Sequence, residues 1–157
     1  MSNHIQAEPV IKLKWLDSKG RRDLHIPAYT TAGSSGMDVR AALDRDIAVE
    51  PGDIVLVPSG FAVEIPPGYE VQVRPRSGLG IKHGITVVNA PGTIDSDYRG
   101  EIKIGLINLG RNRFTIRRGD RIAQLVVSPV ARARLEEVDR LDPSTRDSGG
   151  FGHTGVR

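Results

Sequence analysis

Apolar and polar residues alternate along most of this chain. Residues 11–16 (Ile-Lys-Leu-Lys-Trp-Leu) set the pattern, and residues 53–58, 60–65, 69–74, 84–89, 101–106 and 114–116 repeat it. Gly, Pro, Asn and Asp punctuate the runs, most visibly at Pro66-Pro67-Gly68. A period of two bounded by turn formers predicts short β-strands that are buried on one face. Helical periodicity is scarce. Residues 77–82 are predicted to open a short helix with Ser77 as its N-cap. Residues 132–141, between Pro129 and Pro143, carry some 3.6-residue periodicity and read equally well as an edge strand. Many short strands with regular turns predict an all-β subunit, a jelly-roll-like sandwich or barrel with at most one short helix.

With 157 residues the chain has the length of one domain. Residues 1–141 are expected to form the β domain. From Asp142 onward Gly, Ser, Asp, Thr and Arg dominate, so 142–157 is expected to be a flexible tail, unable to bury enough surface to offset its ordering entropy. One aromatic residue, Phe151, sits among glycines there, with Arg146, His153 and Thr154 close by. A ring for stacking, unhindered backbone N–H groups and a guanidinium suit a clamp on a phosphorylated planar ligand.

Composition narrows the chemistry. The absence of Cys excludes disulfides, thiolate nucleophiles and Cys-ligated zinc. The four His residues are isolated, so a His-based metal site is not expected. The first ten residues lack a signal pattern and no apolar run reaches membrane length, so a cytoplasmic protein without a membrane partner is expected. Net charge is +3, but Arg111, Arg113, Arg117, Arg118, Arg121, Arg132 and Arg134 crowd one stretch. Most are expected on solvated surface, with a few facing an anion. One Trp, three Tyr and three Phe are too few for a nucleic-acid stacking platform, so no nucleic-acid partner is expected.

Two further segments carry candidate chemistry. Residues 74–80 (Arg-Pro-Arg-Ser-Gly-Leu-Gly) combine outward backbone N–H groups with Arg76 and Ser77, a setting for anions. It is not a Walker A loop. Residues 89–100 read as a hairpin turn that carries Asn89, Asp95 and Tyr98. Asp95 beside apolar Ile94 suits general-base duty, Asn89 suits a nucleobase edge and Tyr98 offers a flat ring to a sugar. Asp97 reads as a turn residue. Asp38 is either structural or faces a metal-bound water, and Gln124 either binds phosphate or satisfies backbone.

Five segments together, 33–41 (GSSGMDVRA), 74–80 (RPRSGLG), 89–100 (NAPGTIDSDYRG), 119–125 (GDRIAQL) and 146–155 (RDSGGFGHTG), resemble the five motifs of the trimeric dUTPase (deoxyuridine 5'-triphosphate nucleotidohydrolase) family, in that family's order. The likeness covers about residues 25–155. It implies a dUTP diphosphatase that yields dUMP and pyrophosphate, keeps uracil out of DNA and supplies dUMP for thymidylate synthesis. It implies a homotrimer with active sites between subunits. By the same likeness Asp95 is the catalytic base. Asn89, with Gly92, Ile94 and other backbone of that turn, contacts uracil. Tyr98 packs under deoxyribose, and Arg76, Ser77, Gly78 and Gln124 hold phosphates. Lys103 and Gly152 join the substrate contacts. Arg146 grips the γ-phosphate, Phe151 stacks on uracil, and His153 and Thr154 add phosphate contacts. Asp38 supports the site, and Mg2+ is carried by triphosphate oxygens and water rather than by protein ligands. A dCTP deaminase of the same fold and a non-catalytic nucleotide-binding trimeric β module are the alternatives. The fifth motif departs from the family's usual Arg-Gly: here Asp147 follows Arg146, and a side chain there restricts the backbone and sets a carboxylate near a phosphate-binding tail.

Overall fold

The computed structural model describes residues 8–17 and 23–150. Within them lie ten strands: β1 Lys12–Trp15, β2 Met37–Arg40, β3 Ile47–Val49, β4 Ile54–Glu64, β5 Tyr69–Arg74, β6 Ile85–Val87, β7 Gly92–Ile94, β8 Glu101–Asn108, β9 Phe114–Ile116 and β10 Arg121–Pro129. One helix, α1 Ser77–His83, joins β5 to β6. The strands form one sheet in the order β1-β4-β8-β6, a second in the order β2-β10-β5-β7, and the ribbon β3-β9. Every pairing is antiparallel. The all-β, jelly-roll-like expectation holds.

The alternation in the sequence becomes the core. Ile102, Ile104 and Leu106 of β8 and Val71 and Val73 of β5 point inward, while their neighbours stay more exposed. Both sheets and the β3-β9 ribbon feed one cluster, with Phe61, Ile65, Ile85, Ile94, Ile116 and Leu125 among its members. Trp15 closes one end by setting its ring edge-on to Phe61, centroids 5.7 Å apart.

Three elements differ from the sequence expectation. The runs 53–58 and 60–65 form one strand, β4, rather than two. Its register shifts between Pro58 and Ala62, and Gly60 there takes φ +77°, a conformation that favours glycine. Pro58, which has no N–H to give, pairs with β8 ahead of that shift and lies outside the stretch Phe61–Glu64 that pairs with β1, so no strand on its other edge needs a donor from it. Residues 132–141 form neither helix nor strand, and Leu135 and Leu141 are almost fully exposed. In the single chain nothing covers their apolar side chains, so neither periodicity takes hold. Finally, α1 begins one residue earlier than expected: Arg76 is the N-cap, with no side-chain cap bond, and Ser77 is the first helical residue.

Buried Asn108 ends β8. Its Nδ2 donates to the carbonyls of Val49 and Asn112, both at 2.9 Å, and its Oδ1 accepts from the Gly110 N–H at 2.9 Å. Leucine would fill the volume but leave three backbone groups without partners, at about 1–3 kcal/mol for each that stays buried. Asn108→Leu is expected to destabilise the protein by about 3 kcal/mol in urea unfolding. A midpoint that did not fall would show that water replaces the amide freely.

Candidate active site

β10 runs between β2 and β5, and its residue Gln124 is the pivot of one half of the site. In register, Gln124 faces Asp38 on β2 and Arg74 on β5. Its Nε2 donates to the Pro75 carbonyl at 2.9 Å, which fixes the side chain beside the start of α1. Arg76 projects from that start. Its Nε donates to Asp38 Oδ1 at 2.9 Å and its Nη1 to the Arg121 carbonyl at 3.1 Å. Arg121 Nη1 in turn donates to Asp38 Oδ2 at 3.1 Å. Ser77 and Gly78 lie exposed in the first turn of α1. The result is a cradle of guanidinium, hydroxyl, amide and backbone N–H donors, the chemistry that holds an oxyanion. Both oxygens of Asp38 meet arginines.

The other half lies on the segment between β6 and β8. The expected hairpin is not what forms there. β7 pairs with β5 in the second sheet, whereas β8 pairs with β4 and β6 in the first. Residues 95–100 thus carry the chain from one sheet to the other, because Ile94 and Ile102 both fill the core shared by the sheets. Asn89 sits just before a cis Ala90–Pro91 bond. A Cβ at Gly92 would lie 3.3 Å from Asn89 Nδ2 and 3.2 Å from Val73 Cβ, so the absence of a side chain there lets the amide approach the strand. Asn89, Gly92, Thr93, Ile94 and Lys103 line a small cavity of about 70 Å³.

Thr93, Ile94 and Lys103 also wall an adjoining cleft of about 310 Å³ with Asp95, Tyr98 and Glu101. Asp95 is exposed, and its carbonyl accepts the Tyr98 N–H at 3.2 Å, which closes the turn. Tyr98 donates its hydroxyl to the Glu101 carbonyl at 3.0 Å, so the ring is held at one end and 46% exposed. Lys103 Nζ lies 3.7 Å from Glu101 Oε2. On its other side Asp95 borders a cavity of about 450 Å³ lined by Tyr69, Glu70, Asp97 and Arg132.

The two halves do not share these cavities. Arg76, Ser77, Gly78 and Gln124 line neither space beside Asp95. Arg146 joins neither half: its Nε donates to the tail's own Gly149 carbonyl at 2.8 Å. Asp147, beside it, has φ +43°, and no other non-glycine among the described residues has a positive φ. The departure flagged in the sequence thus falls where the backbone turns left-handed, a conformation that Asp tolerates better than most residues. Phe151, Gly152, His153 and Thr154 lie outside the described residues.

Most of the arginine run is neutralised. Arg113 pairs with Glu50, Arg117 with Asp46, Arg118 with Asp23 and Arg134 with Glu136. The hydrogen bonds that Arg118 donates to Asp23 hold its guanidinium above its already high ordinary pKa. Arg121, Glu70 and Arg132 escaped the sequence reading as site residues. Arg121 stood in the 119–125 motif but looked like one more surface arginine. Nothing local in the sequence placed Glu70 and Arg132 beside Asp95.

Fold and site together define an all-β protein that offers an oxyanion cradle on one side and an amide, carboxylate and aromatic cleft on another. Residues 22–155 match the family model described as dUTPase, and the chain belongs to the dUTPase family. A deoxyuridine 5'-triphosphate nucleotidohydrolase of Desulfotalea psychrophila is 62% identical over 149 residues, covering 95% of this chain and 99% of that protein. One from Caulobacter vibrioides (strain NA1000 / CB15N) is 56% identical over 140 residues, covering 88% and 90%. Among solved structures, Staphylococcus bacteriophage 80alpha dUTPase with dUPNHPP superposes with a TM-score of 0.82 at 24% identity, covering 94% of this chain and 99% of that one. A dUTPase from phage phi11 of S. aureus, described with a structural Mg(II) ion, gives 0.74 at 21% identity over 85% and 99%. At that identity the structures support the fold.

The close approach at Gly92 can be checked directly. Gly92→Ala is expected to displace the Asn89 side chain, moving its amide resonances in ¹H–¹⁵N spectra while the core resonances stay in place. Unmoved Asn89 amide signals would mean that the contact with Gly92 does not position it.

Proposed function

We propose that this chain hydrolyses dUTP to dUMP and pyrophosphate in a homotrimer whose active sites lie between subunits. The observation that carries the reading is the grouping on one short segment of Asn89 against Gly92, exposed Asp95 and the anchored ring of Tyr98. An amide edge reads a pyrimidine, a ring packs under a sugar, and a carboxylate within the same cleft activates water. Membership of the dUTPase family supports the same reaction. The split site supports the assembly: in one chain the cradle and the Asp95 cleft border separate spaces, and a neighbouring subunit would face one with the other.

In this mechanism Asn89 binds uracil, aided by the backbone of Gly92 and Ile94, and Lys103 lies at the edge of the cleft. Tyr98 packs under deoxyribose and leaves no room for a 2′-hydroxyl. Arg76, Ser77, Gly78 and Gln124 hold the phosphates. Asp95 takes a proton from water as the water oxygen bonds to the α-phosphorus. The bond from that phosphorus to the oxygen bridging it to the β-phosphorus breaks, and pyrophosphate leaves with the electron pair. Such a transfer depends on positioning and charge neutralisation more than on covalent help.

Mg2+ would be held by the substrate's phosphate oxygens and water rather than by protein ligands, and would offset the triphosphate charge. The donor set fits that arrangement. The described residues form no cluster of three or more His, Asp or Glu able to cage a metal, and Asp38 is committed to two arginines. Mg2+ dehydrates reluctantly and commonly keeps water and phosphate ligands.

The tail from Asp142 onward acts as the lid. Arg146 leaves Gly149 for the γ-phosphate, Phe151 stacks on uracil, and Gly152, His153 and Thr154 complete the phosphate contacts, excluding bulk water. The protein works in the cytoplasm. None of the described helices is long and apolar enough to cross a membrane.

Three measurements test this reading. With dUTP and Mg2+ the purified protein releases pyrophosphate, whereas ammonia from dCTP would identify a deaminase, and dUTP binding without turnover a non-catalytic module. Asp95→Asn is expected to keep dUTP binding while turnover falls about 10²- to 10⁴-fold. Normal turnover in that variant would remove Asp95 from the role of base. Truncation after Pro143 is expected to leave a folded protein with severely reduced activity. Near-normal turnover after truncation would exclude the lid.

A further inference from the structure

Asp38 is shared between two arginines, and the sharing decides what Arg76 has left to offer. A guanidinium carries five N–H donors. Arg76 spends its Nε–H on Asp38 Oδ1 and one Nη1–H on the Arg121 carbonyl. Three remain for a ligand. The second oxygen of Asp38 is occupied by Arg121 Nη1. Carboxylate and guanidinium prefer a two-toothed pair when nothing intervenes, and that pair would tie up one edge of the Arg76 fork. Arg121 intervenes twice, with its charge on Asp38 and its carbonyl on Arg76.

The strand is built to allow this. The β10–β2 register shifts between Arg121 and Ala123, Arg121 facing Arg40 and Ala123 facing Val39. Ile122 and Ala123 are both buried, a break in alternation that marks a bulge. A bulge takes backbone groups off the ladder and re-aims a side chain, and such irregularities gather beside active sites. Here the Arg121 carbonyl is turned to Arg76. The side chains of Asp38 and Arg76 are 27% and 25% exposed and that of Arg121 is 49% exposed, so the Asp38–Arg76 pair is more sheltered than a surface ion pair, while Arg121 reaches it from the solvent side.

We propose that Arg121 is a positioning residue for phosphate recognition: by holding one oxygen of Asp38 and lending its carbonyl to Arg76, it keeps the Arg76 fork open toward the phosphates. This rests on the phosphate-cradle part of the function proposed above. In Arg121→Ala, Asp38 turns its freed oxygen to Arg76 and closes the fork.

Calorimetry with two probes, inorganic pyrophosphate and deoxyuridine, separates positioning from folding. Arg121→Ala is expected to weaken pyrophosphate binding about tenfold while deoxyuridine, which has no phosphate, binds as to the wild type. Arg121→Lys, which keeps a cation for Asp38, is expected to recover most of that loss. Adding Asp38→Asn to Arg121→Ala is expected to recover part of it too, because the competing carboxylate charge is gone. Unchanged pyrophosphate binding in Arg121→Ala would overturn the proposal. So would an equal loss for both probes, or a double variant weaker than the single one. Failure of the wild type to hydrolyse dUTP would refute the catalytic reading, and the pyrophosphate comparison would still decide the role of Arg121.

Discussion

One rung of the second sheet, Asp38–Gln124–Arg74 across β2, β10 and β5, holds the phosphate half of the site together. Three segments far apart in sequence meet there, and they meet because β10 pairs on both edges. Strand pairing has a strict side-chain period, so a slip by one residue would turn Asp38 and Gln124 to the opposite face. Arg76, one residue beyond the Pro75 that Gln124 grips, would lose both of its anchors. The apolar residues that set this register, Val39, Val73 and Leu125, are all buried in the core. The hydrophobic pattern thus fixes a polar site that it does not contain.

The charge distribution follows a similar logic. A dense arginine run suggests a large positive surface, but its members reach back to acids on remote segments such as Asp23, Asp46 and Glu50. Exposed pairs of this kind contribute at most about 1 kcal/mol each. Their main effect is to flatten the field over that surface. Arg76 differs because its acidic partner is divided between two cations.

Much of the architecture was legible in the sequence, since period-two alternation reports directly on one-sided burial. The grouping of Asn89, Asp95 and Tyr98 on one segment was visible as well, because an amide, a carboxylate and a ring on one Gly- and Pro-rich stretch are hard to explain as a turn alone. What was not legible depends on partners distant in sequence. The 89–100 segment looks like a hairpin locally, and only the competing pairings of β5 with β7 and β4 with β8 make it a crossing between sheets. Residues 132–141 have periodicity but nothing to pack against in one chain. Arg121 gains its place from a bulge, and Ile122-Ala123 shows no signature of one until the register is known.

Asp147 shows how backbone geometry filters mutation. With φ at +43°, its position accepts residues that tolerate a left-handed turn, chiefly Gly, Asn and Asp. From an aspartate codon a single base change reaches glycine, and a different one reaches asparagine. Alanine and valine are just as near in the genetic code, but their side chains meet the backbone's objection. The turn beside Arg146 can therefore drift among three residues that differ in charge and stiffness without crossing a strained intermediate. Lineages gain a ready way to vary the tail's charge while its shape stays constant.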